Sequence, residues 1–463
     1  ELQVEKKIVV DHDGERLVFS PSTSEYGPAR YAVTWGALAT LAELAGQMAL
    51  PFNRLAKMVS TPEKTFTAAG LSRMLHYVAQ RFVGVYLALG EQLADSDYLG
   101  GDDTSVRVLE VSSYFERLRA REGAGPAGVQ SEKPPWSDYR TPAAAEESLR
   151  RCEEARLARV RRREEGDRTA TRKSDEEPTL GMLIGRRFPF ESLLKSGNGP
   201  KQALHTTVVT GRSEAADPRS LVVFYRSHLG SCGNLLESVL ESRNAERRKL
   251  VLQGDLSTSN LVTSPDLLAR FEIRCIGCTA HARRPFAIWR DQDPVHCESM
   301  LHLFLGLAMH ENLLDEVGRN EKNVRAVRGA ESREMWNDIL VLAKDIAEVW
   351  SKATTLGVAA RYVINHFDAL TAYLDDPHLE PTNSLRERML RTEKLIEGSS
   401  MFRKSLEGRF VLDVVRTILQ TAVAAEVPVH EYLVSVLCTP EAEVKQHPER
   451  FTPRAWAATN LGT

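Results

Sequence analysis

Residues 100–111 read GGDDTSVRVLEV: two glycines, two aspartates, then polar and apolar residues in alternation. A period of two places successive side chains on opposite faces of a half-buried strand. By that parity Asp102 shares a face with Thr104 and Asp103 looks the other way. Upstream the period is different. TWGALATLAELAGQMAL (34–50) and AAGLSRMLHYVAQRFVGVYLALGEQLA (68–94) carry apolar residues three and four apart, which predicts two or three packed helices across 29–98. The change of period near residue 99 therefore marks where the chain enters a sheet.

Further strands are expected at ALHTTVVTG (203–211), SLVVFYRS (220–227), KLVLQGD (249–255) and FEIRCIGC (271–278), with a helix, NLLESVLESRNAERR (234–248), between the second and third of these. Strands followed by alternating helix and strand predict an α/β sheet domain. KKIVVDHDGERLVFSP (6–21) reads as a small hairpin turning at Asp13-Gly14. The expected organisation is a hairpin and helical region over 1–98, a first core strand within 99–118 and a charged, partly flexible insertion over 119–200. The main sheet core follows over 201–294, then a helical insertion over 295–375, and a last helical segment over 376–463. The first insertion has proline and glycine clusters flanking SLRRCEEARLARVRRREEGDRTATRKSDEEP (148–178). The second contains AESREMWNDILVLAKDIAEVWSKA (330–353) and AARYVINHFDALTAYL (359–374).

Composition limits the classes of function. Hydrophobic residues make up 42% and charged residues 27% of the 463, the balance of a soluble globular chain of two or three domains. No apolar run is long enough to span a bilayer, and ELQVEKKIVV lacks the order of a signal peptide, so a cytoplasmic location is expected. Six cysteines in so long a chain do not suggest a disulfide scaffold. The formal net charge of −3 neither favours nor excludes DNA, because a DNA-binding protein must concentrate basic residues only locally. No Gly-x4-Gly-Lys-Ser/Thr loop, dinucleotide fingerprint or nucleophile-elbow serine occurs, and His310-Glu311 lacks the second histidine of a zinc-protease helix.

Three carboxylates stand at positions where a fold could gather them. Asp102 opens the first strand, Asp255 ends KLVLQGD, and Glu387 lies in the helix TNSLRERMLR (382–391). Together they would make a hard oxygen cage for magnesium or manganese, and two such ions could act on a phosphodiester. Each has a plainer reading: a solvated turn after glycines for Asp102, the start of a loop for Asp255, and a capping box of Ser384 with Glu387.

The surrounding residues GDDTSVRVL, LQGD, CTAHARRPF and INHFDALTAYLDDPHLEPTNSLRER, in that order, resemble the transposases of insertion sequence family 66. The resemblance covers about residues 30–118 and 200–460, including LPFNRLAKMV (50–59) and TAVAAEVPVHEYLVSVL (421–437), and leaves out the charged insertion. It implies the DDE class: an α/β ribonuclease-H-like core with a mixed sheet, a helical N-terminal region and a large helical insertion. By it Asp102, Asp255 and Glu387 are the catalytic, metal-holding residues, with two magnesium or manganese ions. The family's Asp-Asn-Asn reads Thr382-Asn383-Ser384 here, its Gly-Tyr after the second aspartate reads Leu256-Ser257, and its basic stretch after Arg391 gives way to Glu397-Gly398-Ser399. Family members typically begin with a coiled coil and a cysteine-rich zinc module, and this sequence is expected to start after that region.

What the resemblance implies is a bacterial, nucleoid-associated DNA transposase that cleaves double-stranded DNA at the element ends and joins them to a target. It would act as a homo-oligomer on DNA, with accessory proteins of the element as further partners. Two alternatives stay open: a transposase-derived DNA-binding or accessory protein that does not cut, and a nuclease on the same core. His281, Arg283, Arg284, Asn383, Arg388 and Arg391, together with Arg386, are the expected DNA contacts, since guanidinium pairs well with phosphate oxygens. Cys275, Cys278, His296 and Cys297 offer donors for a structural zinc, although a packed, metal-free motif is the expected state of Cys278-Thr-Ala-His281. The run RLARVRRREE (156–165) fits a DNA-tracking helix or, preferably, a solvated helix of mixed charge.

Overall fold

The computed structural model describes residues 7–10, 16–19, 27–28, 31, 33–122, 133–165, 167, 176–191, 204–213, 217–400 and 403–462. The Asp13-Gly14 turn, residues 123–132 and residues 168–175 of the expected insertion lie outside them. Strands β1 (Lys7–Val10) and β2 (Arg16–Phe19) pair antiparallel, as expected of a hairpin. Helices α1 (Trp35–Gly46), α2 (Phe52–Val59) and α3 (Ala68–Ala94) follow. The last begins where the Thr67 side chain accepts the Gly70 amide, a cap that satisfies one of the free N–H groups of the first turn. Next come β3 (Tyr98–Val106), α4 (Leu109–Glu122), α5 (Pro142–Glu164), α6 (Leu180–Gly185), β4 (Leu204–Arg212), β5 (Leu221–His228), α7 (Cys232–Leu240), β6 (Lys249–Gly254), α8 (Pro265–Arg270) and β7 (Glu272–Gly277). The remainder is helical: α9 (Thr279–Ile288), α10 (Pro294–Val317), α11 (Glu321–Val327), α12 (Arg333–Val349), α13 (Thr355–Asn365), α14 (Phe367–Thr371), α15 (Ser384–Ser400), α16 (Leu406–Ala424), α17 (Val429–Cys438) and two short helices to Asn460.

Some boundaries differ from the sequence reading, among them the helix expected over 234–248, which ends as α7 at Leu240. The first core strand starts at Tyr98 and stops at Val106, Val108 makes a single bridge to Arg403, and the apolar residues Val111 and Phe115 lie on a helix, α4, that faces the core. VRVLEV is too short to tell the two periods apart, and helical packing decides. Within the charged insertion, the described residues include a packed part. Trp136, Phe188 and Phe190 are fully buried in the main core, with Trp136 tilted against Phe190, Phe188 tilted against Phe224 and Phe190 edge-on to Phe410.

The central sheet has five strands in the order β5-β4-β3-β6-β7, with β4 antiparallel to both its neighbours and β3, β6 and β7 parallel. The chain builds outward from β3 to β5 and then returns to the other side of β3. The topological switch point therefore lies between β3 and β6, where open α/β sheets form ligand crevices at the carboxyl ends of their strands. The edge of β5 is covered by α16. Asp413, Thr417 and Thr421, four residues apart, accept the amides of Ser227, Tyr225 and Val223 at 2.7, 2.9 and 3.1 Å. This satisfies an edge that would otherwise invite another strand. A second core, separate from the main one, is formed by α9, α10, α12 and α13 around Trp336 and Phe286.

Candidate active site

The pleat of β3 sends its acidic pair to different duties. Gly101 and Asp103 face α7, and the Asp103 carboxylate accepts the Cys232 amide at 2.9 Å at the start of that helix, where a negative charge is stabilised. Gly100 and Asp102 face the opposite way, toward α15. The β3–β6 ladder pairs Gly100 with Gln253. Asp102 lies two residues beyond that pair on β3, and Asp255 follows the end of β6, so both stand at the switch point.

Asp255 is held in place from several directions. Its Oδ1 accepts the Ser257 amide at 2.9 Å and the Asn260 side chain at 3.0 Å, and its carbonyl accepts the Tyr362 hydroxyl at 2.7 Å. Leu256, next in the chain, has φ 60 and is buried, so the tight exit from β6 uses a left-handed conformation that costs a non-glycine residue about 1–2 kcal/mol. That is the position where the sequence departs from a glycine.

Glu387 sits in the first turn of α15 and is not spent on capping. Asn383 precedes the helix and its carbonyl accepts the Arg386 and Glu387 amides. Oε1 of Glu387 is buried without a hydrogen-bond partner, 3.8 Å from His281 Nδ1 and 3.9 Å from Arg284 Nη2. Burial, then the charges of Asp255, Asp103 and Glu387, push the Asp102 carboxyl up to about 7, against one amide hydrogen bond from Asp103 that lowers it. Asp255 and Glu387 are thus near enough to act on the Asp102 carboxyl through their charges, but among the described residues the three do not form a tight cluster of donors. Among the described residues, the group whose donor atoms lie within 4.8 Å of one another is Cys278, His281 and Glu387.

Arg386 is the keystone of this end of the sheet. It is fully enclosed, donates to Thr210 at 2.8 Å and to Gln253 at 3.3 Å, and bonds the Asn383 side chain. Burial lowers its pKa to about 10. A Cβ on Gly100 would fall 1.9 Å from its guanidinium, so only glycine fits there. Gln253 in turn donates to the carbonyls of Glu380 and Thr382, tying β6 to the segment that leads into α15.

Residues 30–117 and 197–409, more than half of the chain, match the model of the Transposase IS66 family. The chain belongs to that family. A stretch of 243 residues is also 25% identical to the Uncharacterized protein y4jD of Sinorhizobium fredii (strain NBRC 101917 / NGR234), covering 50% of this chain and 46% of that protein. The chain thus spans about half the length of this curated relative. No solved structure matches it. The gap in the family match, residues 118–196, falls on the insertion that sequence reading had set apart, and the match stops at 409, short of the C-terminal helices.

In this IS66-family chain the expected DNA contacts divide. Arg283, Arg284, Arg388 and Arg391 are exposed, and His281 is half-buried beside Glu387. Arg283 and Arg388 line a groove of about 950 Å³ between α9, α10 and the start of α15, with Arg290, Glu298 and Asp315. Asn383 and Arg386 are corrections: both are buried and hold α15 to the sheet, out of reach of DNA. The four-residue zinc reading is also corrected. Cys297 is buried in the second core and His296 bonds Asp293 at 2.8 Å, so they do not gather with Cys275 and Cys278. In the basic run of α5, Arg156 pairs with Glu153 on an exposed face at 2.6 Å, whereas Arg159 reaches out of the helix to the buried Glu176 at 2.5 Å. Glu311 is absorbed by Arg328 and Arg319, both at 2.7 Å. Among the described residues no helix is long and apolar enough to cross a membrane.

Gly100, Gln253, Asn260 and Tyr362 support the site without having been singled out. The glycine doublet and the Gln of LQGD are the signals that pointed to two of them, while Asn260 and Tyr362 carry none in the sequence.

Proposed function

We propose that this chain is a DDE-type DNA transposase on a ribonuclease-H-like core, with Asp102, Asp255 and Glu387 as its catalytic carboxylates. The observation that carries the reading is that Asp255 and Glu387 act through their charges on Asp102 at the switch point of a mixed sheet, with an unpartnered oxygen on Glu387. Hard oxygen donors of this kind fit magnesium or manganese. Bound there, one or two such ions would polarise the scissile phosphodiester and neutralise charge on the attacking and leaving oxygens.

The protein's own residues supply position. Ser257 and Asn260 fix the rotamer of Asp255, Arg386 and Gln253 fix the start of α15, and through it Glu387. Arg283, Arg284 and Arg388 would bind phosphates on either side of the cut, with His281 as a further donor to phosphate. The element's 3′-hydroxyl, once freed, attacks target DNA in line, so no covalent protein–DNA bond is needed. Synapsis of two ends favours a homo-oligomer on double-stranded DNA.

The test is cleavage and joining of labelled DNA carrying the native element's ends, with magnesium or manganese, for wild type and Glu387→Gln. Metal-dependent products that vanish in the variant are expected, with joined products marking transposition. Cutting without joining would make the chain a nuclease, and DNA binding without products in either protein would make it a non-cutting relative.

A further inference from the structure

We propose that Cys278, His281 and Glu387 form a second metal site, for a soft divalent ion of the zinc(II) type, which shares Glu387 with the carboxylate site. Cys278 ends the chain's exit from β7 and begins α9. Its buried Sγ accepts the Asn383 amide at 3.2 Å and also faces the amides of Ala280 and His281. Burial pushes the Cys278 thiol above its usual range and these N–H groups offset only part of that, so an ion bound here would have to displace the thiol proton. His281 lies one turn along α9 and Glu387 in the first turn of α15, so two helix starts converge on one point.

His281 Nδ1 and Glu387 Oε1 are both buried, both without hydrogen-bond partners, and 3.8 Å apart. All three donor atoms lie within 4.8 Å of one another. Donors of a tetrahedral ion with bonds of about 2.0–2.3 Å sit roughly 3.3–3.8 Å apart, so the trio needs only small rotamer movements to close on an ion. Sulfur and imidazole select against magnesium. Three protein donors leave a fourth position open, as in zinc sites that exchange a ligand. Arg284 opposes a cation from 3.9 Å but is 57% exposed and free to turn into solvent. These three residues are a different set from the four cysteine and histidine donors that spacing had suggested.

The consequence rests on the catalytic reading of Glu387: an ion held by Cys278 and His281 withdraws that carboxylate from the hard-cation site, so zinc(II) inhibits magnesium-supported cleavage. The test begins with binding and does not need that reading. The full chain, stripped with a chelator, is titrated with zinc(II) against a chromophoric competitor and separately with cobalt(II). One tight zinc per chain is expected, weakened at least about tenfold in Cys278→Ser and in His281→Ala. The cobalt complex should show a near-ultraviolet thiolate-to-metal band that Cys278→Ser abolishes. Half-exposed His281→Ala decides the matter if the serine variant does not fold. Unchanged zinc affinity in the folded variants, no tight zinc in wild type, or a cobalt complex without the thiolate band would overturn the site. Zinc binding in a chain that never cleaves DNA would overturn the catalytic reading instead, and cleavage without zinc binding would overturn this site alone.

Discussion

Glu387 and Glu393 lie six residues apart on one helix, and their surroundings differ in kind. Glu393 is fully buried between Arg409 and Arg416, and Arg409 continues to Asp413 at 3.2 Å and Ser227 at 2.7 Å. The Glu393 carboxylate there is met by two guanidinium groups that the chain supplies. Glu387 has only long approaches from a histidine and an exposed arginine, and its neighbours Asp102 and Asp255 repeat its own charge. A carboxylate that serves the fold is neutralised from within, because an unpaired buried charge is expensive. One left short of partners at the mouth of a sheet marks a place for a cation from outside.

The contrast can be broken most directly at these two glutamates. Glu387→Gln should cost at least about 10³-fold in DNA cleavage while leaving the melting temperature unchanged or higher, since a repelled charge is removed. Glu393→Gln should do the reverse, destabilising the chain by about 3–5 kcal/mol in urea unfolding by leaving the buried Arg416 guanidinium without a carboxylate. If both variants lost stability equally, the distinction drawn between them would fail.

The next effect concerns pH. The Asp102 carboxyl is raised from an ordinary 3.8 to about 7 in the folded chain. Between these values the folded state holds a proton that the unfolded state has released. In metal-free protein this group's contribution to stability therefore falls as pH rises from about 4 to about 7 and is flat above. The loss is at most about 4 kcal/mol. Asp102→Asn should remove that fall and raise the melting temperature at pH 8. Calorimetry across the range checks it, and a variant with the same pH slope as wild type would show that Asp102 is not the group responsible.

A smaller change sharpens the structural side. Gly100→Ala pushes a methyl into the Arg386 guanidinium, and overpacking of this kind costs about 1–3 kcal/mol. Because Arg386 carries α15, cleavage should fall further than stability alone explains. Smallest of all is Arg150→Ala on α5. Its partners Glu147 and Glu154 are in solvent, and screened surface pairs contribute little, so no measurable shift in melting temperature is expected.

Much of the fold was readable because periodicity survives without context. The long helix at 68–94 and the strands after residue 200 lie within a residue or two of where spacing put them. The stretch after Val106 was not, since six residues fit either period until a core selects one. Asp102, Asp255 and Glu387 could be picked out only by the order of motifs around them, as nothing local distinguishes an aspartate that ends a strand over a crevice from one that starts a loop. Asn383 and Arg386 looked like groups for DNA because polarity in a helix start suggests solvent, whereas α15 docks with that turn inward.

By itself the sequence determined the kinds of element, their order and the family. Those follow from local period and from motifs that need no neighbours. Tertiary structure alone decided which charges are cancelled and which are left open. That depends on residues hundreds of positions apart, such as Gly100 with Arg386 or Cys278 with Glu387, meeting at distances where a single methyl or a single ion pair settles the outcome.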